Sequence, residues 1–543
     1  MKINRKLPLV DATRFSMIPR GDVPRSTFQT QHTVKSTFDA DLLVPVYVDE
    51  VLPGDVHRGD MTFFARLQTP IFPIMDNLCV ESFFFFVPSR LVWTNWRRFM
   101  GEQANPSDTI DFLVPQIVSP LGGFAVGSLY DYFGLPTAGQ VQAGVTVSVN
   151  ALPIRAYNLI FNEWFRDENV QGSQTVLVDD GPDNPTNYFL MRRNKRHDYF
   201  TSCLPWPLKG GQEVGLPLAG SAPVVPDTTA NNGGPMFKEF GLGLSQSIYT
   251  STAVAYSPLT WGPSAADAGV DQLVWDVSGL KADLSQAVGA SINATRLALA
   301  TQHLLEKDAR GGTRYTELLR NHFGVVPEDS RLQRPEYIGG GKSYLKTQAI
   351  PQTSASAYGG TASTPLGSLG ATILGSDGHP FRYMAKEHGY IIGLVNITGD
   401  VTYQQGLHKM WKRSTRYDFY WPAFANLGEQ AVLTEEIYAD GSSTDDEVFG
   451  YQERWAEYRH RPSRITGLFR SRSTGNIDQW HLSEEFGNRP LLNVQFINQN
   501  TPLARVLAAG DLANGQQVLW DSVFNISSTR ALPTHSVPGL VRF

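Results

Sequence analysis

The spacing of apolar positions changes along the chain, and each change predicts an element. From Thr37 to Val51 the run TFDADLLVPVYVDEV mixes β-branched and apolar residues around Pro45. Proline cannot donate to a strand ladder, so this run predicts an edge strand rather than a central one. The segment NLCVESFFFFVP follows, with Phe83 to Phe86 consecutive and Pro88 as a stop, and predicts a buried strand. At about a quarter of the length a membrane-spanning helix needs, the apolar run does not predict a span. Within RAYNLIFNEWFRD, Tyr157, Ile160, Phe161, Trp164 and Phe165 fall on one helical face, predicting a helix docked on a sheet. A longer helix is predicted over 283–307, with Gly311 and Gly312 beyond it as a stop, and a short one over 316–323.

Composition turns these elements into a fold class. Glycine (49) and proline (34) are spread along all 543 residues and long amphipathic helices are few, which favours strands joined by long ordered loops over a string of α/β domains. The prediction is a mainly β framework whose insertions carry several helices. No arginine occurs between Arg196 and Arg296, and 208–280 is rich in small residues and proline. No charged side chain occurs from Thr347 to Ser376. The first stretch also holds Phe237, Phe240, Trp261 and Trp275, which favour order, and both stretches are read as surface insertions.

The net charge of -6 excludes a basic body of the free-standing nucleic-acid-binding kind, so any such contact is local. Two places qualify. Residues 1–35 hold seven basic side chains, Lys2, Arg5 and Lys6 among them, against Asp11 and Asp22, and read as a basic arm. The run RRNKRHD places Arg192, Arg193, Lys195 and Arg196 within five positions, suited either to phosphate oxygens or to a subunit interface.

Other candidate chemistry is thin. Asp11 and Arg14 interrupt the apolar stretch after the first lysines, so no secretory signal is predicted. Cys79 and Cys203 lack metal or disulfide spacing, which suggests a reducing compartment. The histidines show no HExxH motif. GGGKS at Gly339 to Ser343 ends like a phosphate-binding loop, but Glu336 stands where that loop needs glycine. Asp440, Asp445, Asp446 and Glu447 lack the alternation of a calcium loop and read as a solvated acidic turn. No catalytic residue, cofactor or metal site is predicted. A β-sandwich enzyme or carbohydrate-binding module shares this loop composition, and a secreted surface protein is a further alternative.

Long, compositionally unusual segments resemble the major capsid proteins of microviruses, the gokushovirus-like group in particular. They include HTVKSTFDADLLVPVYVDEVLPGD, FFFFVPSRLVWTNWRRFMGEQ, PIRAYNLIFNEWFRDENV, KRHDYFTSCLPWPLKG, KDARGGTRYTELLRNHFGV, GYQERWAEYRHRPSRITGLFRS and NTPLARVLA. They span nearly the whole chain and are weakest over 208–280. The resemblance implies an eight-stranded antiparallel viral jelly roll over 36–543, preceded by the 1–35 arm and interrupted by the 208–280 insertion. It implies a non-enzymatic subunit of a T=1 icosahedral bacteriophage shell around circular single-stranded DNA, found in the virion and assembled in the bacterial cytoplasm. The implied partners are further copies of the chain, the genomic DNA, a small basic DNA-binding protein, an internal scaffolding protein, a minor pilot protein and a host-cell receptor. Lys2, Arg5, Lys6, Arg192, Arg193, Lys195 and Arg196 are the expected contacts with nucleic acid or an internal protein, and 208–280 the expected host-recognition surface.

Overall fold

A computed structural model of the chain describes residues 24–68, 70–72, 74–211, 214–215, 292–345, 376–507 and 516–535, with short strands within 224–282 and at 348–351 and 369–373. It divides into two compact units, one of residues 1–207 with 309–543 and one of residues 208–308.

The first unit is organised by eight strands: β1 (Ser26–Phe38), β2 (Val44–Val51), β3 (Val56–Leu67), β4 (Leu78–Pro88), β5 (Glu336–Leu345), β6 (Ser376–Met384), β7 (Gly389–Gly399) and β8 (Val518–Arg530). They run β1-β8-β3-β6-β5-β4-β7-β2, every pairing antiparallel. Each strand meets the one equally far from the opposite end of the series: β1 with β8, β2 with β7, β3 with β6, β4 with β5. That nesting arises when one long hairpin is rolled upon itself, and it defines a jelly roll.

Between β5 and β6 the ladder narrows to the single pair Gly339 and Phe381, so the series turns a corner there into two sheets. The glycine run makes the corner possible. Gly340 has φ +141°, and a Cβ on it would lie 2.2 Å from the Ser82 carbonyl oxygen, while one on Gly341 would lie 2.4 Å from the His379 ring. The His379 ring fills that space, its Nδ1 2.7 Å from Ser82 Oγ and its Nε2 2.8 Å from Ser343 Oγ. GGGKS is thus a sheet corner.

Burial explains the sequence patterns. Strand β3 alternates strictly, with Met61, Phe63, Ala65 and Leu67 in the core shared by both sheets. Strand β4 is buried along almost its whole length because both its faces are covered, and it is apolar except at Glu81 and Ser82. Phe84 and Phe86 enter the core between the sheets, while Phe85 and Val87 join Ile392 and Leu394 of β7 in a second core. That second core is closed by helix α1 (Leu152–Ile160), which continues as a π turn over Phe161–Phe165. Tyr157, Ile160 and Phe161 are buried as the spacing predicts, and Trp164 and Phe165 are half-buried. Wholly buried Arg155 anchors the layer: Nε and Nη2 reach Asp183 at 2.7 and 2.5 Å, and Nη1 donates to the Val92 carbonyl at 3.0 Å.

Among the described residues of this unit, the outward face of β1-β8-β3-β6 has no such cover. Across it run Gln29, Ser527, Arg58 and Arg382 in one row and Gln31, Asn525 and Asp60 in the next. The edge-strand expectation holds for 44–51, since β2 ends the series and Pro45 sits at a register shift opposite Leu394. The arm expectation needs a correction: residues 26–35 lie in β1, and Lys35 pairs with Asp521 at 3.3 Å. The strand is nearly all polar on an exposed sheet edge, so it carries no apolar signature.

Helix α2 (Ile292–Arg310), most of it in the second unit, ends just beyond the predicted 283–307, and 283–291 fall outside the described residues. Helix α3 (Tyr315–Phe323) matches its prediction and ends on Gly324 at φ +68°. Within the second unit, Met236–Glu239 pairs with Leu273–Trp275 and Ser245–Ser247, and Val224–Pro226 with Leu280–Ala282. Among the described residues no helix is long and apolar enough to cross a membrane.

Candidate functional site

The basic run 192–196 is an extended segment stitched between residue 41 and residues 497–499 by backbone hydrogen bonds, such as Arg193 N to the Asp41 carbonyl at 2.7 Å. Its side chains alternate, and their charge goes mostly inward. Arg193 Nε and Arg196 Nη2 converge on the two carboxylate oxygens of Glu81 at 2.8 and 3.0 Å, and Arg196 also reaches Asp400 at 3.3 Å. Lys195 is buried, its Nζ 2.7 Å from Glu484 and 4.2 Å from the Phe496 ring centre. Burial raises the Glu484 carboxyl above its ordinary range against the opposing pull of Lys195. Arg192 is the exposed member and makes a long 3.5 Å contact to the Gln499 carbonyl. The structure thus brings the four cations together but engages three of them with carboxylates far away in sequence. Lys2, Arg5 and Lys6 lie outside the described residues.

The acidic turn closes on an arginine. Arg489 Nη2 lies 2.9 Å from Asp440 and 3.0 Å from Asp445, and Asp445 also accepts from Gly441 N at 2.8 Å. Cys79 and Cys203 are both free and buried.

A different surface combines positive charge with accessible rings, and it was not singled out in the sequence. Residues 408–427 and 454–472 together hold ten lysines and arginines but two carboxylates, Asp418 and Glu457, in a chain of net charge -6. The hairpin Glu429–Leu433 with Val448–Glu453 lies between them in sequence and delivers them side by side. Arg413 ties them together, its Nη2 3.0 Å from Glu457 and its guanidinium 4.3 Å from the Tyr458 ring centre. Trp455, at φ +68°, donates its indole N–H to the Phe424 carbonyl at 2.9 Å.

What remains outward is aromatic: Trp411 is 70% exposed, Tyr417 67% and Tyr458 50%. A cavity of about 690 Å³ opens here, with Phe200, Tyr403 and Leu407 in its wall beside Trp411, Tyr458, Arg461, Arg464 and Arg470. The wall's acids are engaged: Glu457 takes Arg413 and Gln430, and Glu436 takes the Tyr199 hydroxyl and Leu433 N. Among the described residues no carboxylate lies within ion-pair range of Arg461, Arg464 or Arg470. His408, in the same wall, is held below its ordinary value by burial and then by Arg413, with His460 and Arg461 adding to the effect. Interleaving of basic and aromatic residues in HKMWKRSTRYDFYW and RWAEYRHRPSR is the signal by which sequence alone finds this surface.

The capsid protein (F protein) family matches residues 16–540. Similar chains include capsid protein VP1 of Bdellovibrio phage phiMH2K, 46% identical over 96% of this chain and 97% of that one. Capsid protein VP1 of Chlamydia phage 1 is 41% identical over the full length of both chains. That of Spiroplasma virus 4 is 35% identical over 97% of each.

Proposed function

This chain belongs to the capsid protein (F protein) family, a structural component of virions that assembles with its own copies, and from that premise we propose that it closes into a T=1 icosahedral shell around circular single-stranded DNA. The observation that carries the reading is full-length similarity to phage capsid proteins joined to a complete jelly roll. A roll leaves few free sheet edges and presents loops at its ends to neighbours, and closed symmetry multiplies individually weak contacts. No catalytic role is proposed.

In this reading assembly takes place in the host bacterial cytoplasm. A small basic DNA-binding protein, an internal scaffolding protein and a pilot protein accompany the shell, since an acidic chain needs help to neutralise a packed genome. Lys2, Arg5 and Lys6 face inward, with Arg192 as the free contact of its run, while Arg193, Lys195 and Arg196 hold that segment in place. The insertion over 208–280, arginine-free and inside a unit of its own, is proposed as the outward, receptor-contacting part.

Sedimentation with electron microscopy of material from phage-expressing cells tests the shell. Particles far heavier than the 60.1 kDa chain are expected. A stable monomer or small oligomer in particle-producing cells refutes it. Shortening the loop between Gly211 and Gly269 tests attachment, because shells that form and adsorb normally remove the receptor role.

A further inference from the structure

We propose that the cavity between 408–421 and 454–472 is a binding site for single-stranded nucleic acid, with a base stacked on Trp411 or Tyr458 and phosphates on Arg461, Arg464 and Arg470. The proposal rests on the reading that the shell encloses single-stranded DNA and assigns where that strand is gripped.

Three properties meet at this place. The first is unopposed positive charge: the three arginines line one cavity whose carboxylates already have partners. A planar guanidinium suits phosphate oxygens and stays charged at any working pH. The second is ring surface. Trp411 is 70% exposed, and large rings held open to water beside arginines are the ingredients of a stacking platform, which tolerates any base because every base has a π-face. Arg413 on Tyr458 and Arg416 on Trp421, 4.3 and 4.8 Å from the ring centres, brace two of the rings on this surface. The third is shape. A recess of about 690 Å³ has the dimensions of a small-ligand site and accepts a nucleotide unit, whereas a contact between copies of the chain is served by a broad, well-packed surface.

Charge complementarity separates this surface from the 192–196 run. There each cation but Arg192 meets a carboxylate at 3.3 Å or less, so a phosphate would have to displace an existing partner. Among the described residues, Arg461, Arg464 and Arg470 have no carboxylate for a phosphate to displace.

The test uses the full-length chain and a fluorescently labelled oligodeoxythymidine, with anisotropy read over a range of salt concentrations and sedimentation read in parallel. Arg461→Gln with Arg464→Gln should weaken binding at least roughly tenfold and lower the salt slope by about 1.4, since each single-strand phosphate contact contributes about 0.7. Trp411→Ala should weaken binding roughly 5- to 150-fold with the slope unchanged, because stacking releases no counterion. Particle sedimentation should match the parent in both variants. Parent-like affinity and slope in both variants, with the parent chain binding, overturns this site and leaves the DNA-enclosing shell intact. Variants that bind normally but no longer assemble identify the surface as a contact between copies instead. Particles free of nucleic acid by absorbance overturn the genome reading itself, and the proposal with it.

Discussion

The two faces of β4 offer a sharp quantitative test. Phe84 and Phe85 are neighbours in sequence and both essentially buried, yet they serve different cores. Phe84 stacks on Phe381 at 4.3 Å between the sheets, whereas Phe85 sits under α1 with Trp164 at 5.4 Å and Tyr337 at 5.6 Å. Truncating either to alanine removes a fully buried ring and should cost about 3–5 kcal/mol. Trp164 is half-buried, so Trp164→Ala should cost less even though its indole N–H loses the Pro335 carbonyl at 3.0 Å. The distinguishing quantity is the coupling energy. A double-mutant cycle should give roughly 0.5–1.5 kcal/mol between Phe85 and Trp164 and close to zero between Phe84 and Trp164, which lie on opposite sides of the sheet. Urea unfolding of the purified chain followed by circular dichroism measures all the corners without relying on tryptophan fluorescence. Equal coupling of both phenylalanines to Trp164, or a loss below about 1 kcal/mol for Phe85→Ala, would refute the two-core assignment.

Asp183→Asn leaves the buried Arg155 guanidinium without its bidentate partner and should destabilise by about 3–5 kcal/mol in the same assay; a change under about 1 kcal/mol contradicts the anchor role. His57 and His379 are buried and held below the ordinary value of 6.5, chiefly by burial, so the unfolded chain takes up protons that the folded one refuses. Their contribution is complete above pH 6.5 and is lost as pH falls toward the folded values, so the urea midpoint should drop on acidification below 6.5; a flat midpoint there counts against it. Lys195→Met strands Glu484, whose carboxyl burial already pushes up, so its cost should be greatest at neutral pH and shrink on acidification as that carboxyl takes a proton. A cost independent of pH would show that the pair is not the reason for the loss.

How far the fold was legible depended on the range of the interactions involved. The Phe83–Phe86 run and the periodic face from Tyr157 to Phe165 were readable because burial imprints itself locally on the sequence. Strand β1 was read as part of an arm because its partner, β8, lies at the far end of the chain and its own residues are polar. The role of Gly339 to Gly341 depends on His379 and Phe381, which no local pattern connects to them. The 192–196 run looked like a free basic patch for the same reason: Glu81, Asp400 and Glu484 are remote in sequence. The surface around Trp411 was written openly in alternating basic and aromatic residues, but in two segments that only the intervening hairpin brings together.

The pairing of β1 with β8 also sets a clock. Residue 26 leaves the ribosome long before residue 530 exists, and at roughly 5–20 residues per second the first strand waits on the order of 25–100 s for its partner. During that wait β1 has no ladder partner and β3 has one open edge, the condition in which nascent chains stick to each other. The glutamines, threonines and lysine along β1 make that exposed strand a poor template for such pairing. Only a chain translated to its last strand can shut the roll, so a product stopped after residue 516 should be absent from purified particles, and the fold itself acts as a proofreader of complete synthesis.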